Sequence, residues 1–248
     1  MSRYGQGHPF TVANSPGAGE THLEFVIKAW DGQTRALARS IERRKQPSVR
    51  IPVSVEGPYA YRPQTEDFDR VLLFGGGSGI TFVSSVLGDI VRRGREATAV
   101  KEVQFVWVVQ RLDQAQWIKG ALAEARAFAD KTGLKLSIDL FLTQQDTYPS
   151  PSPSDSDSHS GASTPSSLND DKKLDLAPST GSADLGRATI HHARPDAPFV
   201  VSEFLQQGNG QRNMVLGCGP TGLGDAIRIA GGKNASVRDE VHVASFDG

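Results

Sequence analysis

Three short runs in this sequence combine residue types and spacings that suit phosphates and flat aromatic rings. Gly75-Gly76-Gly77-Ser78-Gly79-Ile80-Thr81 follows directly on the apolar run Val71-Leu72-Leu73-Phe74. Glycines there let the backbone turn sharply and approach a pyrophosphate. A helix starting near Gly79-Ile80 would aim its unpaired N–H groups and its dipole at the anion. Cys218-Gly219-Pro220 follows another apolar run near the C-terminus. Its flanking glycines admit a flat ligand, and its thiol could lie against a nicotinamide. His8-Pro9-Phe10-Thr11 sets a ring and a hydroxyl beside a rigid proline. Phe10 could pack along an isoalloxazine and Thr11 could hydrogen-bond its N5. Lys28 and the turn Gly32-Gln33-Thr34, which opens a helix, could hold a flavin pyrophosphate.

Each run alone has a plainer account. The glycine run breaks the strict G-x-G-x-x-G spacing, since Ile80 or Phe82 stands where the last glycine should be, and it lacks a P-loop lysine. Read singly, it is a tight turn, Cys218 a small packed side chain, Lys28 a solvated strand residue and Thr34 an N-cap. Taken in order, the runs point to hydride transfer between a nicotinamide and a flavin.

The elements that must position them are partly legible. Val71–Phe74, a continuous apolar run, predicts a strand buried on both faces. Ile80, Val83, Leu87 and Ile90 recur at helical spacing after it. Further strands are expected at Val103–Val109, Leu134–Leu142, Met214–Leu216 and Val241–Val243. Helices are expected at Trp117–Thr132, ended by Gly133, and at Gly222–Ala230. Such alternation predicts an α/β fold with a doubly wound parallel sheet. Ahead of it, residues 8–14 and 21–30 and the alternating Ile51, Val53 and Val55 predict strands, with a helix at Gln33–Arg44. Three strands around one helix cannot close a barrel, so residues 1–66 read as part of an antiparallel flavin-binding β-barrel. Residues 67–248 read as the nicotinamide domain. Within it, the segment 145–184 is expected to be a disordered insert: nine serines stand between Ser150 and Ser167.

Composition sets bounds. The chain has 248 residues and a net charge of -1, which gives no electrostatic case for nucleic acid. One cysteine excludes an internal disulfide and any Cys-based zinc or iron–sulfur site. No run approaches the ~18 apolar residues that span a bilayer, and no metal site is expected.

The ordered set resembles the fungal ferric-chelate reductases, relatives of the NADPH oxidases among the ferredoxin-reductase-like flavoproteins. Gln6 to Thr11 is similar to their Q-x-H-P-F-T, Val55 to Tyr59 to V-E-G-P-Y-G, Gly75 to Thr81 to G-G-G-S-G-I-T, Gly217 to Gly222 to G-C-G-P-x-G, and Ala193-Arg194-Pro195 to G-R-P. The resemblance implies FAD and NADPH as cofactors. His8, Pro9, Phe10 and Thr11 would contact FAD, with Thr11 near N5, and Lys28, Gly32 and Thr34 would face its phosphates. Gly75, Gly76, Gly77, Ser78, Gly79, Ile80 and Thr81 would cradle the NADPH pyrophosphate. Cys218, Gly219 and Pro220 would lie at the nicotinamide, so that Thr11 and Cys218 carry the catalytic step. Arg194 would hold the ribose 2′-phosphate, with Arg111 a further clamp one residue later than the family's arginine.

It further implies that a hydride passes from NADPH to FAD and that single electrons then leave through haem in a membrane domain towards ferric chelates, at the cytoplasmic face of the plasma membrane. The haem-bearing helices and first barrel strands that such proteins carry are not in this sequence, and adjacent His191-His192 are no substitute for haem ligands. Two alternatives stand beside this reading: the tail of an NADPH oxidase that reduces oxygen, and a non-catalytic NADPH-binding fragment without a functional flavin site.

Overall fold

A computed structural model describes residues 8–16, 21–29, 31–45, 48–59, 63–94, 99–144, 185 and 187–245. The expected insert at 145–184 therefore lies outside the described residues. So do Gln6, Gly7, Trp30, Ala60 and Phe246–Gly248.

Six strands form one all-parallel sheet: β1 (Arg70–Gly76), β2 (Glu102–Val109), β3 (Lys135–Leu142), β4 (Thr189–His191), β5 (Asn213–Gly219) and β6 (Glu240–Ser245). Their spatial order is β4-β3-β2-β1-β5-β6. The chain winds outward from β1 to β4, then crosses over to place β5 on the other side of β1. The winding therefore reverses between β1 and β5, and the crevice at their carboxyl ends is where such sheets bind ligands.

Alternation along β1 feeds two cores. Val71 and Leu73 face α2 (Ile80–Arg93) and α3 (Lys119–Thr132), packing with Val83, Leu87, Ile90, Leu122 and Phe128. Leu72 and Phe74 face α4 (Ala197–Gln207) and α5 (Thr221–Asn234), packing with Val201, Phe204 and Ile227. Burying each such side chain contributes roughly 1.5–3 kcal/mol before ordering entropy is counted. The predicted α2 face is borne out: Ile80, Val83, Leu87 and Ile90 are all buried. The helix expected from Trp117 begins as a 3₁₀ segment, Leu112–Ile118, and continues as α3 until Gly133 ends it at φ 79°.

Two elements were not anticipated. Strand β4 is short and on the sheet edge. Helix α4 carries an Asp196 N-cap whose carboxylate accepts the Phe199 N–H at 3.0 Å, with Pro198 in the first turn.

The strands expected at 8–14, 21–30 and Ile51–Val55 are corrected. None of their described residues forms a strand or a bridge. Ala13 donates its N–H to the Glu24 carbonyl at 2.8 Å, and the Asn14 side chain ties to Glu24 N and His22 O. That is one pairing point, and a lone two-stranded pair is marginal in water. Val53 and Val55 stay 74% and 61% exposed, with no sheet partner among the described residues. Helix α1 (Gln33–Arg44) forms as expected and buries none of its residues.

Candidate functional site

The glycine turn leaves β1, makes a 3₁₀ turn over Gly77–Gly79 and enters α2. The cysteine turn leaves β5 and enters α5 at Thr221. Gly75 pairs with Cys218 in the ladder, so the two turns start side by side. They then touch backbone to backbone. A Cβ added at Gly219 would sit 3.0 Å from Gly76 Cα, and one at Gly76 would meet Leu223 Cδ2 at 2.6 Å. A Cβ on Gly79 would run into the carbonyl of Cys218. The sequence-predicted phosphate and nicotinamide motifs are thus one structure, with the N-termini of α2 and α5 converging on it. Neither helix has a side-chain cap hydrogen bond.

The outer side of the turn is open. Gly77 adopts φ 54°, and nothing lies within 4 Å of a Cβ built on it. Thr81 Oγ1 donates to the Ser78 carbonyl at 3.1 Å, fixing the first turn of α2. A cradle lined by backbone that side chains would fill, below uncapped helix N–H groups, fits a pyrophosphate.

Cys218 is 2% exposed, and burial pushes its thiol up to about 12. At neutral pH the sulfur keeps its proton. It is therefore neither nucleophile nor base, and offers only a polarisable neutral surface at the end of β5.

Trp107 was not singled out from the sequence. It is fully buried on β2, and its indole N–H donates to the Gly77 carbonyl at 3.1 Å. The Trp117 ring lies 6.5 Å from it.

Both predicted phosphate arginines follow carboxyl ends of strands, on the edge that carries the glycine turn. Arg111 follows β2, and its guanidinium pairs with Asp113 at 2.9 Å. Arg194 follows β4 and is exposed. The end of β4 is anchored just before it: the His191 ring stacks on Phe141 at 4.3 Å and meets Asp139 Oδ1 at 2.8 Å.

On the flavin side, His8, Pro9, Phe10, Thr11 and Lys28 are exposed. His8 Nε2 lies 3.0 Å from Gln33 Oε1, which brings the ring-and-hydroxyl run to the turn that opens α1. Gly32 precedes that helix at φ 82°, again with open space around it. The two predicted flavin motifs therefore meet each other. The link to the nicotinamide half runs along α2. Ser15 donates to Asp89 Oδ1 at 3.3 Å and packs against Gly88.

Among the described residues no group of three or more His, Cys, Asp and Glu side chains could hold a metal ion. Nor is any helix long and apolar enough to cross a membrane.

Comparison with known proteins decides the family. Residues 68–230 match the ferric reductase NAD binding domain, and residues 1–62 match an FAD-binding domain. The chain belongs to the ferric reductase NAD-binding family. Ferric reductase transmembrane component 4 of Saccharomyces cerevisiae is 28% identical over 239 residues, which is 90% of this chain and 31% of that protein. Respiratory burst oxidase homolog protein B of Solanum tuberosum is 26% identical over 259 residues, 90% of this chain and 28% of that protein. Ferric reduction oxidase 7, chloroplastic, of Arabidopsis thaliana is 29% identical over 154 residues, 56% of this chain and 21% of that protein. The chain thus spans about a third or less of these relatives. It matches both cofactor-binding domains, the NAD-binding one over residues 68–230 and the FAD-binding one over residues 1–62.

Proposed function

We propose that this chain is the reductase module of a ferric-chelate reductase, taking electrons from NADPH through FAD and passing them to a membrane haem domain and ferric iron at the cytoplasmic face of a membrane. The observation that carries the reading is the backbone contact between the Gly76–Gly79 turn and the Cys218–Gly219 turn at the point where the sheet reverses.

Bound cofactors supply the hydride transfer from nicotinamide to flavin. The protein's residues position and shield them. The N–H groups of the Gly77–Gly79 turn and the α2 N-terminus would hold the nucleotide pyrophosphate. Gly219 would let the nicotinamide approach the backbone, with protonated Cys218 beneath it. Thr11 would donate its hydroxyl to the flavin ring, Phe10 and Pro9 would pack on it, and His8 would orient the run through Gln33. Lys28, Gly32 and Thr34 would face the flavin phosphates. Arg194 would grip the ribose 2′-phosphate, because a guanidinium fork matches phosphate geometry. Arg111, already engaged by Asp113, would contribute less.

Arg194→Ala is expected to weaken NADPH by about tenfold or more, the scale of a charge-assisted hydrogen bond, and to leave NADH nearly unchanged. Calorimetric titration of both nucleotides checks this. Equal losses for the two would remove Arg194 from the role.

A second reading has a specific observation in its favour. The described residues between 8 and 59 form no sheet and are mostly exposed, which suits a module that binds the nucleotide without holding flavin. An oxidase acceptor is the third reading, supported by the similarity to the potato respiratory burst oxidase homolog.

A further inference from the structure

We propose that Trp107 is a positioning residue that sets the direction in which the phosphate turn presents its N–H groups. The inference rests on the nicotinamide reading of this turn and adds to it a residue outside the glycine run.

A peptide unit is planar and trans, so its C=O and the N–H of the next residue point in opposite directions. The Gly77 carbonyl and the Ser78 N–H belong to one such unit. Trp107, fully buried within the sheet, takes that carbonyl from the inside at 3.1 Å. The Ser78 N–H is thereby directed away from the Trp107 indole. Glycine at φ 54° has the backbone freedom to let this unit turn, so the donors that hold its carbonyl set its direction. The Ile80 N–H also reaches the Gly77 carbonyl, so the indole is its second donor and comes from a different element. Thr81 Oγ1 pins the next carbonyl, that of Ser78, at 3.1 Å.

The bond also meets a need of the tryptophan. A buried indole N–H requires an acceptor; Trp107 shares its buried cluster with the apolar β2 residues Val103, Phe105 and Val109, and the turn provides the acceptor. The phosphate turn is thus oriented from β2, one strand away from the strand that carries it.

The test replaces Trp107 in the full chain with 3-benzothienylalanine, in which sulfur stands for the indole N–H and the ring shape is kept. NADPH affinity is read by calorimetry, the thermal midpoint by calorimetric scanning, and the Ser78 amide by NMR. The expected result is NADPH binding about five- to tenfold weaker, the scale of one lost hydrogen bond. The thermal midpoint should fall by no more than the few degrees that one hydrogen bond supports, and the NADPH-induced shift of the Ser78 amide should be reduced. Unaltered affinity, or an NADPH-induced shift of the Ser78 amide equal to the parent's, would make Trp107 a packing residue and overturn the inference. If the parent chain itself failed to bind NADPH, the nicotinamide reading would fall and this inference with it.

Discussion

Gly79→Ala is expected to abolish NADPH binding and to destabilise the nicotinamide domain by about 3 kcal/mol, at the upper end for overpacking in a closed site. The new methyl group would collide with the Cys218 carbonyl and crowd the Gly219 nitrogen. Both are main-chain atoms of the neighbouring turn, so no rotamer change relieves the clash. Relief requires β1 and β5 to part at their carboxyl ends, where seven-residue strands are buried along their whole length. Gly77→Ala is the comparison. It meets open space and suffers only the left-handed backbone penalty of about 1–2 kcal/mol. Urea unfolding and NADPH titration of the two variants check the argument. Parental stability and binding in Gly79→Ala would show that the two turns are not in contact.

The second large effect lies at the opposite edge of the sheet. Arg70 is buried, donating to the Phe204 carbonyl at 2.6 Å, to Asn213 Oδ1 at 3.3 Å and to Glu102 Oε1 at 3.1 Å, with its guanidinium 4.3 Å from the centre of the Phe204 ring. It ties the starts of β1, β2 and β5 to the end of α4. Arg70→Met leaves Glu102 with the exposed Lys135 as its remaining partner at 3.2 Å. Breaking a buried pair from one side costs about 3–5 kcal/mol, which for a domain of this size lowers the thermal midpoint by roughly 10 °C. Replacing Glu102 by Met as well should restore part of the loss.

The same cluster fixes the response to acid. Burial pushes Glu102 up, but hydrogen bonds from Arg70 and Lys135 more than offset it and hold its carboxyl below the usual range. The Lys101 hydrogen bond, helped by the Arg212 amide, lowers Asp69. Carboxyls depressed in the folded state stabilise it above the ordinary carboxylate value near ~4. That contribution is lost as pH falls through the lower folded values. Thermal scans should therefore show a fall in midpoint below about pH 4, and a shallower one in Arg70→Met. A pH dependence as steep as the parent's, or a midpoint unchanged at neutral pH, would contradict this role for Arg70.

How much was legible depended on whether the deciding contact was local. A run such as Val71–Phe74 can only be a strand covered on both sides, and the glycines after it can only be a turn, so β1 and the cradle were readable. Helix α4 had its signals in the sequence: Asp196, Pro198, and Val201, Phe204 and Leu205 at helical spacing. Strand β4 had none: Thr189-Ile190-His191 is a strand because β3 offers it an edge. The alternation in Leu23–Ile27 and Ile51–Val55 is that of strands, yet a ladder needs a partner along its length, and the described residues give Leu23–Ile27 one pairing point, at Glu24, and Ile51–Val55 no ladder. Trp107 was beyond the sequence altogether, because which carbonyl an indole reaches is decided by how β2 sits against the β1 turn. The meeting of Gly76 with Gly219 depends likewise on strand order.

The most direct test of the account is an anaerobic stopped-flow experiment in which the full chain is loaded with FAD and mixed with NADPH. The account predicts that the protein retains flavin, and that the visible flavin band bleaches in a saturable, NADPH-dependent phase that Gly79→Ala eliminates. Tight NADPH binding with no retained flavin, or with a retained flavin whose band does not bleach, would contradict a shared cleft between the opening segment and the Cys218 turn.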